Sequence, residues 1–374
     1  MKKLIAFLFA AGLLASHHAS AVKESNVAKI PLQYFGLHIH RADAGTAWPN
    51  VPFGSWRLWD AYVGWAQLET TRGQWSFARL DRYVAVAKLT NVELLLPLAM
   101  TPIWASARPQ EASAYRPGNS AEPANMNDWR AYVTMVGTRY KGKIRQYEIW
   151  NEPSDMSHYT GSVEKLVEMT CEAHRILKDI DPNNLVISPA SAGGGKHIDY
   201  LDHFLAIGGK RCIDVVAHHF YVFQKPPEAM LPLIRGVRTV MGKHGLANMP
   251  LWNTETGWWI ANGDGTPDHQ MVAKGGWRKL SLETESGDYV LRALLLARAE
   301  GVDRFYWYSW DNRYGLGMIE ASSGNPKPMV AKWRTTVDRL HGATQLKCAQ
   351  SGKYWSCDFI RKDGVADQVT WSVE

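Results

Sequence analysis

A chain of 374 residues, 46% hydrophobic and 21% charged, has the composition of a packed protein, which excludes disorder and a purely membrane-embedded chain. The net charge of +6 arises from 42 basic and 36 acidic residues with no run of five like charges, so no nucleic-acid partner is indicated. A content of 17 Trp against 10 Phe exceeds what a simple core needs, because every indole carries an N–H that wants a polar partner.

Taken in chain order, the first segment reads as an export signal. Lys2 and Lys3 precede an apolar run over 4–15 and the small-residue site Ala19-Ser20-Ala21. That run is too short to span a bilayer as a helix, and no later stretch approaches the ~18 apolar residues required. Cleavage after Ala21 would leave 374 − 21 = 353 residues and a charge of 40 − 36 = +4. The expectation is a soluble periplasmic or secreted protein.

Short apolar stretches at 35–40, 56–60, 93–98, 144–152, 185–189, 214–221, 250–257 and 304–310 predict eight strands. Apolar residues at helical spacing predict helices over 77–89, 128–140, 163–180, 197–207, 228–244, 286–300 and 328–340. Only the first strand lacks a readable helix after it. This alternation, with strands apolar almost throughout, fits an α/β (β/α)8 TIM barrel over 22–342, whose parallel sheet is covered on both faces. A doubly wound open sheet is the alternative, but it would carry a Gly-rich phosphate turn after its first strand, and no GxGxxG occurs there. Beyond the barrel, strands at 343–349, 353–361 and 365–373 are too few to form a core of their own. They should pack on the barrel as a short β appendage over 343–374. Long connections over 105–127 and 260–285 should lie at the barrel mouth.

Four Cys in an exported chain invite pairing. A two-residue turn at Gly352-Lys353 places 351 opposite 354 and Cys348 opposite Cys357, within disulfide reach. Cys171 and Cys212 are either a second pair or two buried thiols. No CxxC or His-Cys spacing suggests zinc.

Chemistry in such a barrel belongs at the C-terminal ends of the strands. There the fourth strand delivers Glu152 and the seventh Glu255. Two carboxyls facing each other across a cleft are what glycosidic cleavage needs, one protonated and one ionised. A single strand-end Glu is as readily the partner of a nearby Arg.

The segment Trp150-Asn151-Glu152-Pro153 resembles the Asn-Glu-Pro signature of the large clan of retaining β-glycosidases built on an eightfold barrel, clan A. Arg57-Leu58-Trp59-Asp60, then Trp65, Glu69, Gly73, Trp75 and Leu80-Asp81, then Thr101-Pro102-Ile103-Trp104-Ala105, are similar to glycoside hydrolase family 39 and its bacterial exopolysaccharide-cleaving relatives. The resemblance covers roughly 32–342. It departs at the C-terminus, where many relatives carry a larger β-sandwich.

The resemblance implies Glu152 as general acid then base and Glu255 as nucleophile, with retention of configuration and no cofactor. Tyr221 resembles the family residue that hydrogen-bonds the nucleophile, and His219 has the same inward parity. Arg57 is expected to hold Glu255 ionised, with Glu148 as its competing partner. Asn151 is expected to bind a sugar hydroxyl. Trp310, Trp104, Trp258 and Trp259 are candidate stacking platforms, and His38 and His40 candidate contacts to sugar hydroxyls or to the mouth. The bland reading of each Trp and of Tyr221 is core packing.

One rival is a metal-dependent amidohydrolase using His38, His40, His218 or His219, and Asp311. It needs further ligands from strands four and five, and strand five ends Ser188-Pro189. A second is a carbohydrate-binding barrel without activity, which would lack one of the two Glu. A transglycosylase would share every residue named. The expected partner is an oligo- or polysaccharide substrate.

Overall fold

The structure, a computed structural model, describes residues 28–222, 224–267, 270 and 278–373. The expected signal over 1–21 lies outside the described residues, as does part of the 260–285 connection.

Eight parallel strands form the centre: β1 Phe35–His38, β2 Ser55–Arg57, β3 Glu93–Leu98, β4 Gln146–Ile149, β5 Leu185–Ile187, β6 Val216–His219, β7 Leu251–Thr256 and β8 Val302–Trp307. They pair in sequence order, and β8 returns to β1 with Phe305 opposite Phe35. The fifth strand breaks at Pro189, which has no N–H for the ladder, and resumes at Ser191–Ala192 opposite His218 and His219. A parallel bridge from Ile187 to Val215, with the Ser188 N–H donating to Val215 O at 2.9 Å, closes the ring. The structure is therefore a TIM barrel, and the open-sheet alternative falls because that closure joins the two ends of the sheet.

Among the described residues, besides the one-turn helix Trp65–Leu68, seven helices return the chain: α1 Ala78–Thr90, α2 Met126–Arg139, α3 Val163–Ile180, α4 Lys196–Ala206, α5 Met230–Lys243, α6 Glu285–Ala299 and α7 Met329–Leu340. In α3 the buried residues Leu166, Met169, Thr170, Ala173, Ile176 and Leu177 recur at three- and four-residue steps. The Ser162 side chain caps its first turn by accepting from the Lys165 N–H.

Strand alternation sends every second side chain into the barrel, in layers. At the floor, Arg304 donates to Ser55 Oγ (3.0 Å), Gln146 Oε1 (3.2 Å) and Glu93 Oε2 (2.6 Å). Above it Leu95, Ile187, Ala217, Trp252 and Tyr306 pack together. Gly36 makes room for the Tyr306 ring, since a Cβ there would lie 2.5 Å from Cδ1. The top layer holds His38, Arg57, Glu148 and Thr254, all buried and polar.

The expected strands run past the observed ones, to 60, 152, 221 and 310 against 57, 149, 219 and 307. Asp60, Trp150 and Glu152 have φ of 55°, 64° and 47°, left-handed conformations that end a ladder and turn these side chains to the mouth.

Three antiparallel strands follow the barrel: β9 Thr344–Ser351, β10 Tyr354–Ile360 and β11 Ala366–Ser372. Ser351 faces Tyr354, and Cys348 faces Cys357 in a disulfide with Cα atoms 4.0 Å apart. The sheet lies on α5 and α6 through Trp355, which packs with Leu231 and Leu296, while Trp371 donates to Glu228 Oε1 at 2.6 Å. Cys171 and Cys212, left open by the sequence, form a second disulfide between α3 and the turn Gly209–Arg211.

Candidate active site

Arg57 ends β2 inside the barrel, with no solvent access. A guanidinium buried this deeply must have each donor answered. Its Nε donates to Glu148 Oε2 at 2.6 Å, its Nη1 to Glu255 Oε2 at 2.7 Å, and its Nη2 to Asn151 Oδ1 at 2.7 Å. The other Glu148 oxygen accepts from Thr254 Oγ1 at 2.6 Å. One side chain thus ties β4, the loop after it and β7 together. The two partners that the sequence set in competition, Glu148 and Glu255, are both bound.

Glu255 accepts a second bond, from the Tyr221 hydroxyl, at 2.9 Å. Glu152 is oriented differently. Its N–H donates to Ala190 O at 2.8 Å, and the Trp150 indole N–H two residues earlier donates to His158 O at 2.8 Å. These anchors hold two non-glycine residues in left-handed conformations, each costing about 1–2 kcal/mol. The Glu152 carboxylate then meets buried His219, with Nδ1 and Oε1 2.8 Å apart, and His158 Nε2 lies 3.7 Å from Oε2. Glu152, His219 and Glu255 each present one atom within 4.8 Å of the other two.

The electrostatics follow from burial and these neighbours. Burial pushes the Glu255 carboxyl up to about 7; the charge of Glu152 adds to the rise, and those of His219 and Arg57 oppose it. Burial pushes Glu152 up as well, but the hydrogen bond and charge of His219 outweigh it and hold this carboxyl at about 2. Burial drives the Tyr221 phenol far above its ordinary value, so it stays a donor to Glu255.

Both carboxyls open into a cleft of about 640 Å³ whose aromatic walls are Trp59, Tyr115, Tyr221, Trp259, Tyr308 and Tyr314. A larger cleft of about 800 Å³ lies at the opposite end, between α1 and α2, but its Asp81 and Arg139 are spent on each other at 2.5 Å.

Comparisons with known proteins agree with the barrel. Glycosyl hydrolase family 10 matches residues 60–170. A family 39 glycoside hydrolase from the gut symbiont Bacteroides cellulosilyticus WH2 superposes with a TM-score of 0.68 at 15% identity, over 94% of this chain and 72% of that one. A monomeric β-xylosidase from Caulobacter crescentus CB15 gives 0.66 at 19% identity, over 89% and 75%. Xylanase 10B from Thermotoga petrophila RKU-1, solved with xylobiose, gives 0.57 at 13%, over 83% and 97%. No curated protein sequence matches. The chain resembles clan A glycoside hydrolases. At these identities the likeness is one of fold, that of the glycoside hydrolase barrels.

Within that barrel, the residues expected at the site divide into two groups. Asn151, Glu152, Tyr221, Glu255 and Trp259 line the cleft, and Arg57 and His219 lie directly beneath it. The other expected contacts do not reach it. Trp258 is buried against Trp307 and Tyr289 with its N–H on Lys225 O. Trp310 is buried with its N–H on Ala47 O, and Trp104 bonds Glu69 O and carries the Arg72 guanidinium on its face. Each spends its indole on the scaffold, so none is a sugar platform in this cleft. His38 and His40 are likewise buried, 5.0 and 5.1 Å beneath the Tyr308 ring, where burial lowers both imidazoles. They support Tyr308 rather than touching the cleft. Trp59, Asp60, Tyr115, His158 and Tyr308 were missed as lining residues. Trp59 and Asp60 follow Arg57 directly, and Tyr308 has the inward parity of Arg304 and Tyr306, which is the signal that could have found them.

The metal rival is not assembled. His38 Nε2 is bonded to Thr254 O at 3.0 Å and His218 Nε2 to Gly193 O at 2.6 Å. Among the described residues, the group of three possible ligands is Glu152, His219 and Glu255, and the Arg57 guanidinium on Glu255 disfavours a second cation there.

Proposed function

We propose that this protein is a retaining β-glycosidase, exported by residues 1–21, that cleaves β-linked sugars of a bacterial extracellular polysaccharide by double displacement. The observation that carries the reading is the approach of Glu152 and Glu255 to within 4.8 Å. Retaining enzymes keep their carboxyls ~5–5.5 Å apart, whereas inverting ones need ~6.5–9.5 Å to seat a water.

A Glu255 oxygen attacks the anomeric carbon while the glycosidic oxygen takes a proton from Glu152, breaking the C–O bond and leaving a glycosyl ester. Water then attacks that ester, gives a proton to Glu152 and frees the Glu255 carboxylate. The first step requires Glu152 in its protonated form, and His219 Nδ1, 2.8 Å from Oε1, holds that carboxyl in place. Arg57 and Tyr221 take up the charge that returns to Glu255 in the second step.

The test is turnover of aryl β-glycosides and bacterial polysaccharides by the wild type, Glu152→Ala and Glu255→Ala. Both variants should lose at least ~10³-fold in rate. Azide should rescue Glu255→Ala with a glycosyl azide of inverted configuration. Unchanged turnover in either variant would overturn the reading.

A further inference from the structure

The cleft around Glu152 and Glu255 has a one-sided charge. Besides the two acids it is lined by Asp60 and Asp155, and among the described residues no Lys or Arg side chain lines it. The guanidinium beneath, Arg57, already has Glu148, Glu255 and Asn151 on its three nitrogens. His158 faces Glu152 at 3.7 Å and Asp155 at 3.9 Å, so any positive charge it carries is answered within the protein. Burial and the adjacent Lys196 both lower the His197 imidazole below its ordinary value.

Asp60 is the best organised of these carboxylates. The Tyr308 hydroxyl donates to Oδ2 at 2.6 Å, and the Tyr308 ring is itself braced from below by His38 and His40. Oδ1 accepts no hydrogen bond from the described residues, so Asp60 brings an unspent acceptor to the lining of a cleft that also holds the catalytic pair.

We propose that Asp60 is a substrate-gripping carboxylate that accepts a sugar hydroxyl and restricts the site to glycosides without an anionic substituent, excluding uronosides. A hydroxyl can donate to Oδ1, whereas a second carboxylate can only be repelled by it, and among the described residues no Lys or Arg lines the cleft to compensate. This rests on the glycosidase reading above and names the substrate class of that site.

The experiment compares p-nitrophenyl β-D-glucoside and β-D-xyloside with β-D-glucuronide, which share a leaving group, on the wild type and Asp60→Asn. The wild type should show a kcat/KM for the glucuronide on the order of 100-fold below the better neutral substrate, with the gap narrowing as salt is raised. Asp60→Asn should shrink the gap roughly tenfold and raise KM for the neutral sugar. A glucuronide cleaved as well as its neutral counterpart, or a gap unchanged in Asp60→Asn, would overturn the proposal while leaving the glycosidase reading standing. If no glycoside is cleaved, the glycosidase reading is the one in trouble. Calorimetric binding of cellobiose and of a glucuronic-acid disaccharide to Glu152→Gln, with and without Asp60→Asn, then still reads the discrimination. Equal affinity for the two sugars would refute it. Circular dichroism melting of Asp60→Asn separates a specificity change from a folding defect.

Discussion

Arg57 commits three of its five N–H donors to Glu148, Glu255 and Asn151, all without water. Arg57→Met leaves two buried carboxylates unpaired and should cost about 3–5 kcal/mol, read from the urea midpoint. Adding Glu148→Gln should restore part of that stability and none of the activity, because Glu255 would still lack its cation. Recovery of both would show that Arg57 is structural only. A second expectation concerns pH. With the Glu255 carboxyl raised to about 7, its ionised fraction falls tenfold per unit below that value, so kcat/KM should show an acid limb near pH 7. Tyr221→Phe removes a donor to the ionised form, and should move that limb upward and lower kcat/KM by roughly tenfold. The same shift bears on stability. A carboxyl raised on folding contributes stability that is full below its ordinary value of 4.5 and is lost as pH rises through about 7. The melting temperature of Glu255→Gln should therefore gain on the wild type between those values, and a gain that appears only in acid would contradict the assignment.

Between elements, the two disulfides close loops of very different length. Cys171 and Cys212 are 41 residues apart and clip α3 to the turn after α4, whereas Cys348 and Cys357 are 9 apart and join two adjacent strands of one hairpin. In the chain-entropy account the longer loop is worth about 4 kcal/mol and the shorter about 3 kcal/mol. The hairpin partners are also held by an antiparallel ladder, unbroken from Lys347 to Ser351, and by Trp355 packing on Leu231 and Leu296. Cys171→Ser with Cys212→Ser should therefore lower the melting temperature more than Cys348→Ser with Cys357→Ser. The reverse order would show that the hairpin bridge also holds the appended sheet to α5 and α6.

Taken whole, the molecule stacks a polar floor, an apolar middle layer and a polar top inside one closed ring. Each barrel strand is covered on both faces, so it reads in the sequence as an almost unbroken apolar run, and each helix buries one stripe, so it reads at 3.6-residue spacing. Both patterns are local, and they made the eightfold alternation and the strand-end positions of Glu152 and Glu255 legible from the residues alone. The Cys348–Cys357 pairing was legible for the same reason, since a two-residue turn sets its own register. Which aromatics face the cleft was not. Parity counting works only while a ladder continues, and here the ladders end early: β8 stops at Trp307 after register shifts against β7, and left-handed residues redirect the chain beyond β2 and β4. Trp310, Trp258 and Trp104 thus fall into the scaffold, while Trp59 and Tyr115 join the walls beside Tyr308, which alone keeps the parity of its strand. That Arg57 holds Glu148 and Glu255 at once, where the residues alone set them in competition, and that His219 meets Glu152 were out of reach. These contacts join residues 91, 198 and 67 positions apart, and no local rule of propensity or spacing specifies a meeting that exists only once the ring has closed.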